Sequence, residues 1–234
     1  MNLDFIAYPL GALLKMIFNV TNNYGYSLIL FTILIKVILL PINIKQTQST
    51  KKMNELQPKI KELQTKYKGD SQKMNEKMME FYKENNYNPA SGCLPALIQM
   101  PILFSLFYVI QNPVKFVFKS QAVFDSITKS FLWLTDLGKA ESAATLIHVL
   151  GYGLPILAIL SGVTTYFQMK MIAPKGNTVD PTQKSMTTIM PIMFAWITLK
   201  VPAGLAIYWV VGNLFTIAQQ YFMMKNLPAG KEVK

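Results

Sequence analysis

Arginine is missing altogether: all 23 basic residues are lysine. Guanidinium forks are the usual tools for reading phosphates and base edges, so the formal charge of +11 does not point to specific DNA binding. The lysine bias fits codon usage in an AT-rich genome. Cysteine occurs once, at Cys93, which excludes an internal disulfide and suits a reducing face. Histidine also occurs once, at His148, and no ligand cluster accompanies it, so no metal site is expected. None of the 12 acidic residues falls inside a long apolar block, and no glycine-rich phosphate loop is present. A serine–lysine dyad on Lys36 is a formal possibility, yet no serine lies at a matching depth beside an oxyanion site. The chain reads as no enzyme, with no catalytic residues and no cofactor.

What it has is apolar sequence in blocks. Hydrophobic residues make up 51% and mean hydropathy is +0.27. Blocks of about 20 apolar residues match a bilayer core of roughly 30 Å, and inside hydrocarbon only helices satisfy their own backbone. Five are readable, at 24–43, 93–112, 149–169, 186–200 and 203–224, which predicts an all-α integral membrane protein with five transmembrane helices. The fourth has only 14 apolar-dominated residues before Lys200, roughly 20 Å of helix. It joins the fifth through the Val201-Pro202 bend, so these two are expected to be antiparallel neighbours.

Lysine placement sets the orientation. Ten lysines lie in 44–92, three in the loop 170–185 and three in the tail 225–234, against Lys15, four between 111 and 148, and Lys200 on the other side. The excess marks the cytoplasmic face. The prediction is a multi-pass protein of a bacterial plasma membrane, N-terminus outside and C-terminus cytoplasmic. Residues 1–23 show no signal-peptide pattern, with an early acid at Asp4. Tyr8, Leu10, Leu13, Leu14, Ile17 and Phe18 instead make a helical stripe, read as an amphipathic helix on the outer surface. Residues 113–148 form an outer interfacial segment, with Phe131, Leu132, Trp133 and Leu134 as its anchor.

Between the first two blocks, Met53, Leu56, Ile60, Leu63 and Tyr67, then Met74, Met78 and Phe81, repeat at three- and four-residue steps around a Gly69-Asp70 break. This spacing predicts a cytoplasmic antiparallel helical hairpin over 44–92, away from any site in the membrane, with Pro58 kinking or restarting its first helix. Its methionines are either hairpin core or an adaptable client surface.

Lys36 is the most informative residue. It lies two-thirds along the first block among Ile33, Leu34, Ile35, Val37 and Ile38. A lysine there costs about 2.5–3.5 kcal/mol on insertion scales, so it faces a polar cavity or snorkels to the nearby interface. Thr32 shares its face one turn earlier. Gln99 and Asn213 are the costliest of the other polar residues to bury. For Thr164, Thr165, Gln168, Thr216 and Gln219 the plainer reading, satisfaction by their own helix or neighbours, is preferred. Tyr208 and Trp209 by themselves read as an aromatic belt pair.

Four runs carry a resemblance: LILFTILIKVILLPINIKQ (28–46), NPASGCLPALIQMPILFSLF (88–107), FLWLTDL (131–137) and PAGLAIYWVVGNLFTIAQQY (202–221). In order and spacing the chain resembles the YidC/Oxa/Alb membrane protein insertases, in their compact Gram-positive form. The resemblance implies a hydrophilic groove open to cytosol and lipid and closed outside. Its groove cation falls on Lys36, where arginine is usual, its threonine on Thr32, and its aromatic pair on Tyr208 and Trp209. With Gln99 and Asn213 these make the expected substrate groove. Nascent membrane proteins, the ribosome, the Sec translocase and the lipid bilayer are the implied partners. Two rival readings are a small channel or transporter using Lys36, for which internal repeats are lacking, and a structural assembly factor.

Overall fold

The structure, a computed structural model, describes residues 3–88, 94–141, 147–149, 152–173 and 181–226. Among these residues nine α-helices follow in chain order: α1 Asp4–Thr21, α2 Tyr24–Ile38, α3 Leu40–Lys66, α4 Ser71–Glu84, α5 Leu94–Gln111, α6 Gln121–Ser126, α7 Ile156–Ile172, α8 Pro181–Thr198 and α9 Ala203–Asn226. A π-helical turn, Val114–Phe118, precedes α6. Two three-residue strands, β1 Ile147–Val149 and β2 Tyr152–Leu154, pair antiparallel ahead of α7. The protein is all-α in class, as the apolar blocks predict. Cys93 lies outside the described residues.

No single described helix is long and apolar enough to cross a membrane alone; α2 and α3 pass together but are bent by 62° at Leu39. The apolar blocks overstate the helices in physically clear ways. The third block opens on the last residue of β1 and includes β2, and α7 starts only at Ile156, because Gly153 and Pro155 disfavour a helix interior. The apolar part of α8 is limited to Thr187–Thr198, about 18 Å of rise.

The core forms where α2, α5 and α9 meet. Tyr24, Leu28, Phe31 and Ile35 recur at helical spacing and bury one face of α2, which packs on α1 and α9, in one core with Leu106, Val109 and Ile110 of α5 and Leu205, Ala206 and Ile207 of α9. Its opposite face, with Leu30, Ile33, Leu34, Val37 and Ile38, stays exposed. So do Val163 and Phe167 on α7 and Ile192 and Trp196 on α8, which is more apolar surface than a soluble protein leaves in water.

The packing refines three local readings. Helix α1 packs most of its stripe inward: Leu14 and Phe18 are buried and Leu10, Leu13 and Ile17 lie against the same core, with Ala7 and Gly11 buried beside them, whereas Tyr8 is 47% exposed. Small residues at 7 and 11 let the helix approach its neighbours closely. Helices α8 and α9 are joined by a short bend, yet α7 packs along both of them, and Phe194 meets Trp209 edge-on between them. Pro58 does not restart α3, which is unbroken from Leu40 to Lys66.

The hairpin α3–α4 closes as its periodicity predicts. Asp70 caps α4 by accepting from the Lys73 amide at 3.0 Å, and Ile60, Tyr82 and Tyr87 make a small separate core with Met53, Leu56, Met78 and Phe81 around it. Met53 and Met78 are thus core, while Met79 is exposed.

The FLWLTDL run seals the end of the bundle where α9 begins. Phe131 and Leu134 bond to each other's backbone and point inward, while Leu132, at φ 55°, turns out and is 74% exposed. The Phe131 ring fills the space a side chain on Gly25 would need. The carbonyls of Leu137 and Lys139 accept from the Gly204 and Ala203 amides at 2.9 and 2.7 Å, satisfying free donors in the first turn of α9. Buried Glu141 accepts from Trp133 Nε1 and from the Leu157 amide near the start of α7, each at 3.0 Å. Trp133 is therefore a structural tie within the fold.

Close approach makes one glycine a sensitive test of this packing. A Cβ on Gly11 would collide with the backbone carbonyl of Phe116, whereas one on Gly69 would meet nothing within 4 Å. Gly11→Ala is expected to destabilise the fold by about 1–3 kcal/mol, and Gly69→Ala to stay within about 0.5 kcal/mol. Thermal unfolding in detergent reads the difference.

Candidate groove

The apolar face of α2 carries one charge, and the neighbouring helices supply its surroundings. Helices α2 and α9 run side by side, and Lys36 lies against Gly212, where a Cβ would stand 3.1 Å from its Cε. The Lys36 ammonium donates to Thr216 Oγ1 at 3.3 Å. It sits in the wall of a cavity of about 710 Å³ bounded by α2, α3, α5, α7, α8 and α9. Among the described residues no carboxylate forms an ion pair with it.

Polar groups are fixed at three other points of this wall. Gln99 Nε2 on α5 donates to the Tyr208 hydroxyl on α9 at 2.9 Å. Asn213 Nδ2 donates to Thr164 and Thr165 on α7, at 3.1 and 2.9 Å, which locks α7 to α9. Gln219 and Gln220, one turn further along, also line the cavity, and their amide oxygens have no protein partner among the described residues. Both oxygens are buried, as acceptors within the wall.

Apolar groups face the same space. Met100 and Leu103 come from α5, Met169 and Met171 from the end of α7, Met190 and Phe194 from α8, and Met223 from α9. The cavity lining is therefore mixed, with amide and ammonium groups interleaved with thioether and aromatic ones. Its lining on α9 runs only from Tyr208 to Met223, because the earlier turns of that helix are packed into the core. The end near the FLWLTDL seal is closed.

Of the six residues expected in a groove, the structure brings five together: Lys36, Gln99, Tyr208, Trp209 and Asn213 all line the cavity. Thr32 does not. It is fully buried behind the wall, its hydroxyl donating to the Leu28 carbonyl at 2.6 Å. Thr216 and Gly212 belong to the wall and were undervalued. Thr216 does satisfy its own helix, donating to the Gly212 carbonyl at 2.8 Å, but it accepts from Lys36 as well. The missed signal is the step of three and four residues through Trp209, Asn213, Thr216, Gln220 and Met223, one stripe on an apolar helix. The hairpin is not remote either. The first turns of α3, with Asn43, Thr47, Thr50 and Asn54, line the cavity, because the 62° bend at Leu39 swings α3 across its mouth.

A family model described as 60Kd inner membrane protein matches residues 16–231. The chain belongs to that family. A relative from Caldanaerobacter subterraneus, named membrane protein insertase YidC, is 40% identical and covers 94% of this chain and 95% of its own length. One of the same name from Clostridium perfringens is also 40% identical, over 93% of this chain and 85% of the relative. A third, from Syntrophobacter fumaroxidans, is 37% identical over 95% of this chain, which spans only 38% of that longer protein. Among solved structures, one described as an active YidC insertase with its first transmembrane domain resolved superposes at a TM-score of 0.68. It is 28% identical, and the match covers 95% of this chain and 47% of that one.

Within this family fold, Asn213 is the clearest structural tie of the site. Asn213→Leu removes two interhelical hydrogen bonds and is expected to lower stability by about 1–2 kcal/mol, while Lys36→Ala leaves it nearly unchanged. Thermal unfolding of the purified protein distinguishes the two.

Proposed function

We propose that the chain is a membrane protein insertase that receives the polar flank of a nascent membrane protein in the Lys36 groove and releases the adjoining apolar segment into lipid. The observation that carries this reading is an ammonium without a carboxylate partner among the described residues, held in a half-apolar cavity closed at one end. The names of the relatives agree with it.

The physical task is to move a polar tail past hydrocarbon that offers no hydrogen bonds. A polar cavity reaching partway into the bundle shortens that path. The short apolar stretch of α8 shortens it further by thinning the bilayer beside it. Lys36 attracts acidic residues in the tail. The methionines of the lining adapt to differently shaped apolar side chains, since unbranched thioethers repack easily. The segment then partitions into lipid, gaining about 25 cal/mol per Å² of apolar surface removed from water. No covalent step is involved, so the protein is a chaperone and not an enzyme.

In this reading α2, α5, α7, α8 and α9 are the five membrane-crossing elements, and the closed end near Phe131 faces outward. The lysine excess on the opposite side makes the hairpin and C-terminus cytoplasmic. The hairpin, at the cavity mouth, meets the ribosome or the Sec translocase with its ten lysines and six acids.

Substitutions at Lys36 test the reading. Lys36→Arg is expected to retain insertion. Lys36→Ala lowers it for clients with acidic translocated tails by roughly tenfold, the loss of about 1.4 kcal/mol, and Lys36→Glu lowers it further by repulsion. Clients with neutral tails change little. Insertion assays on paired clients, normalised to insertase level, measure this; equal activity of the alanine variant on both would remove the electrostatic role.

A further inference from the structure

Lysine has a long, mobile side chain, and a charge that attracts client acids acts best when it is held in one place. We propose that Gly212 and Thr216 on α9 form a cradle that positions the Lys36 ammonium for acidic client residues. This inference rests on the proposed role of Lys36 and adds two positioning residues to it.

The cradle begins with space. Helices α2 and α9 keep register along their contact: Leu28 lies beside Gly204, and Thr32 and Lys36 lie beside Gly212. A Cβ on Gly212 would come within 3.1 Å of Lys36 Cε and 3.7 Å of its Nζ, tighter than ordinary packing at the first of these. With no side chain there, the lysine stem lies directly against the α9 backbone. It runs on toward the next turn, where Thr216 Oγ1 meets Nζ at 3.3 Å.

The second part is the direction of the Thr216 hydroxyl. It has a single proton, and that proton is donated to the Gly212 carbonyl at 2.8 Å. Only its lone pairs remain for Lys36, so the hydroxyl is set as an acceptor. One of three ammonium protons is thereby engaged and the others remain for the cavity. Among the described residues no carboxylate pairs with the cation; Glu55 of α3, the one acid in the cavity lining, forms no ion pair with it. Thr216 orients it without neutralising it, which an acidic residue at that position would do.

The cradle also settles how the two sequence readings of Lys36 relate. The side chain does lean along its helix toward the next turn of α9, as a snorkelling lysine would, but it does so inside the cavity wall. Where the ammonium stops is decided by Thr216.

The test uses the full chain in proteoliposomes and two single-span clients. One carries an acidic translocated tail; the other has the same tail with Asp and Glu changed to Asn and Gln. Thr216→Val keeps the volume and removes the acceptor, and Thr216→Ser restores it. Gly212→Ala displaces the lysine stem without touching the hydroxyl. Thr216→Val and Gly212→Ala are expected to lower insertion of the acidic client by roughly threefold to tenfold, the worth of a hydrogen bond to a charged group, with little change for the neutral one. Serine recovers the acidic client, and Thr216→Val adds nothing in a Lys36→Ala background. Equal losses on both clients, or none on either, overturn the cradle while Lys36→Ala remains selective. If Lys36→Ala is itself unselective, the role of Lys36 fails and the cradle fails with it.

Discussion

An ammonium on an apolar helix has to be solvated, and much of this structure follows from how that is done. Lys36 is surrounded in sequence by Ile33, Leu34, Ile35, Val37 and Ile38, of which Ile35 is buried and the other four are exposed. Only the narrow sector toward α9 is left for the charge. There Gly212 gives it room and Thr216 gives it an acceptor. The cavity beyond is lined also by α5, α7 and α8, and α5 and α7 are tied to α9 by hydrogen bonds at Tyr208 and Asn213. Those ties hold the wall open where simple apolar packing would collapse it.

Closure at the other end is the complement of that opening. Tyr24, Leu28 and Phe31 share one core with α5 and α9, and the loop that carries Phe131 and Leu137 lies over them and caps the first turn of α9. A cavity open at both ends would be a pore. Here the tightly packed core occupies the first turns of α2 and α9 and the last turns of α5, and the opposite ends of these helices line the cavity. This arrangement suits a protein that lowers a barrier locally and leaves the bilayer sealed.

The helical class, the hairpin and Lys36 were legible in the sequence because each rests on composition or on a simple period. Met53, Leu56 and Ile60 announce a seam at three- and four-residue steps, and the structure packs them as one. Positions set by steric approach were not legible. Helix α1 buries Ala7 and Gly11 and leaves Tyr8 half out, and at Gly11 the Phe116 backbone comes too close for any side chain. Thr32 shares a face with Lys36 but bonds to Leu28 behind the cavity wall, since a threonine one turn away is as easily satisfied by its own helix. The methionine-rich lining is assembled from four helices, and no single segment shows it. The hairpin reaches the groove only because the chain bends by 62° at Leu39, a geometry that periodicity does not encode.

The central claim is that a client's polar flank passes through the cavity and not along the outer faces of the helices. Photoreactive side chains placed one at a time at Trp209, Met190 and Gln219 in the cavity, and at Val163 and Ile192 on the exposed faces, test it most directly. A ribosome-bound client is stalled with its polar tail partly inserted, and the adducts to that tail are mapped. The account predicts strong adducts from the three cavity positions and weak ones from the two outer positions. Adducts confined to Val163 and Ile192, with none from the cavity, would contradict it.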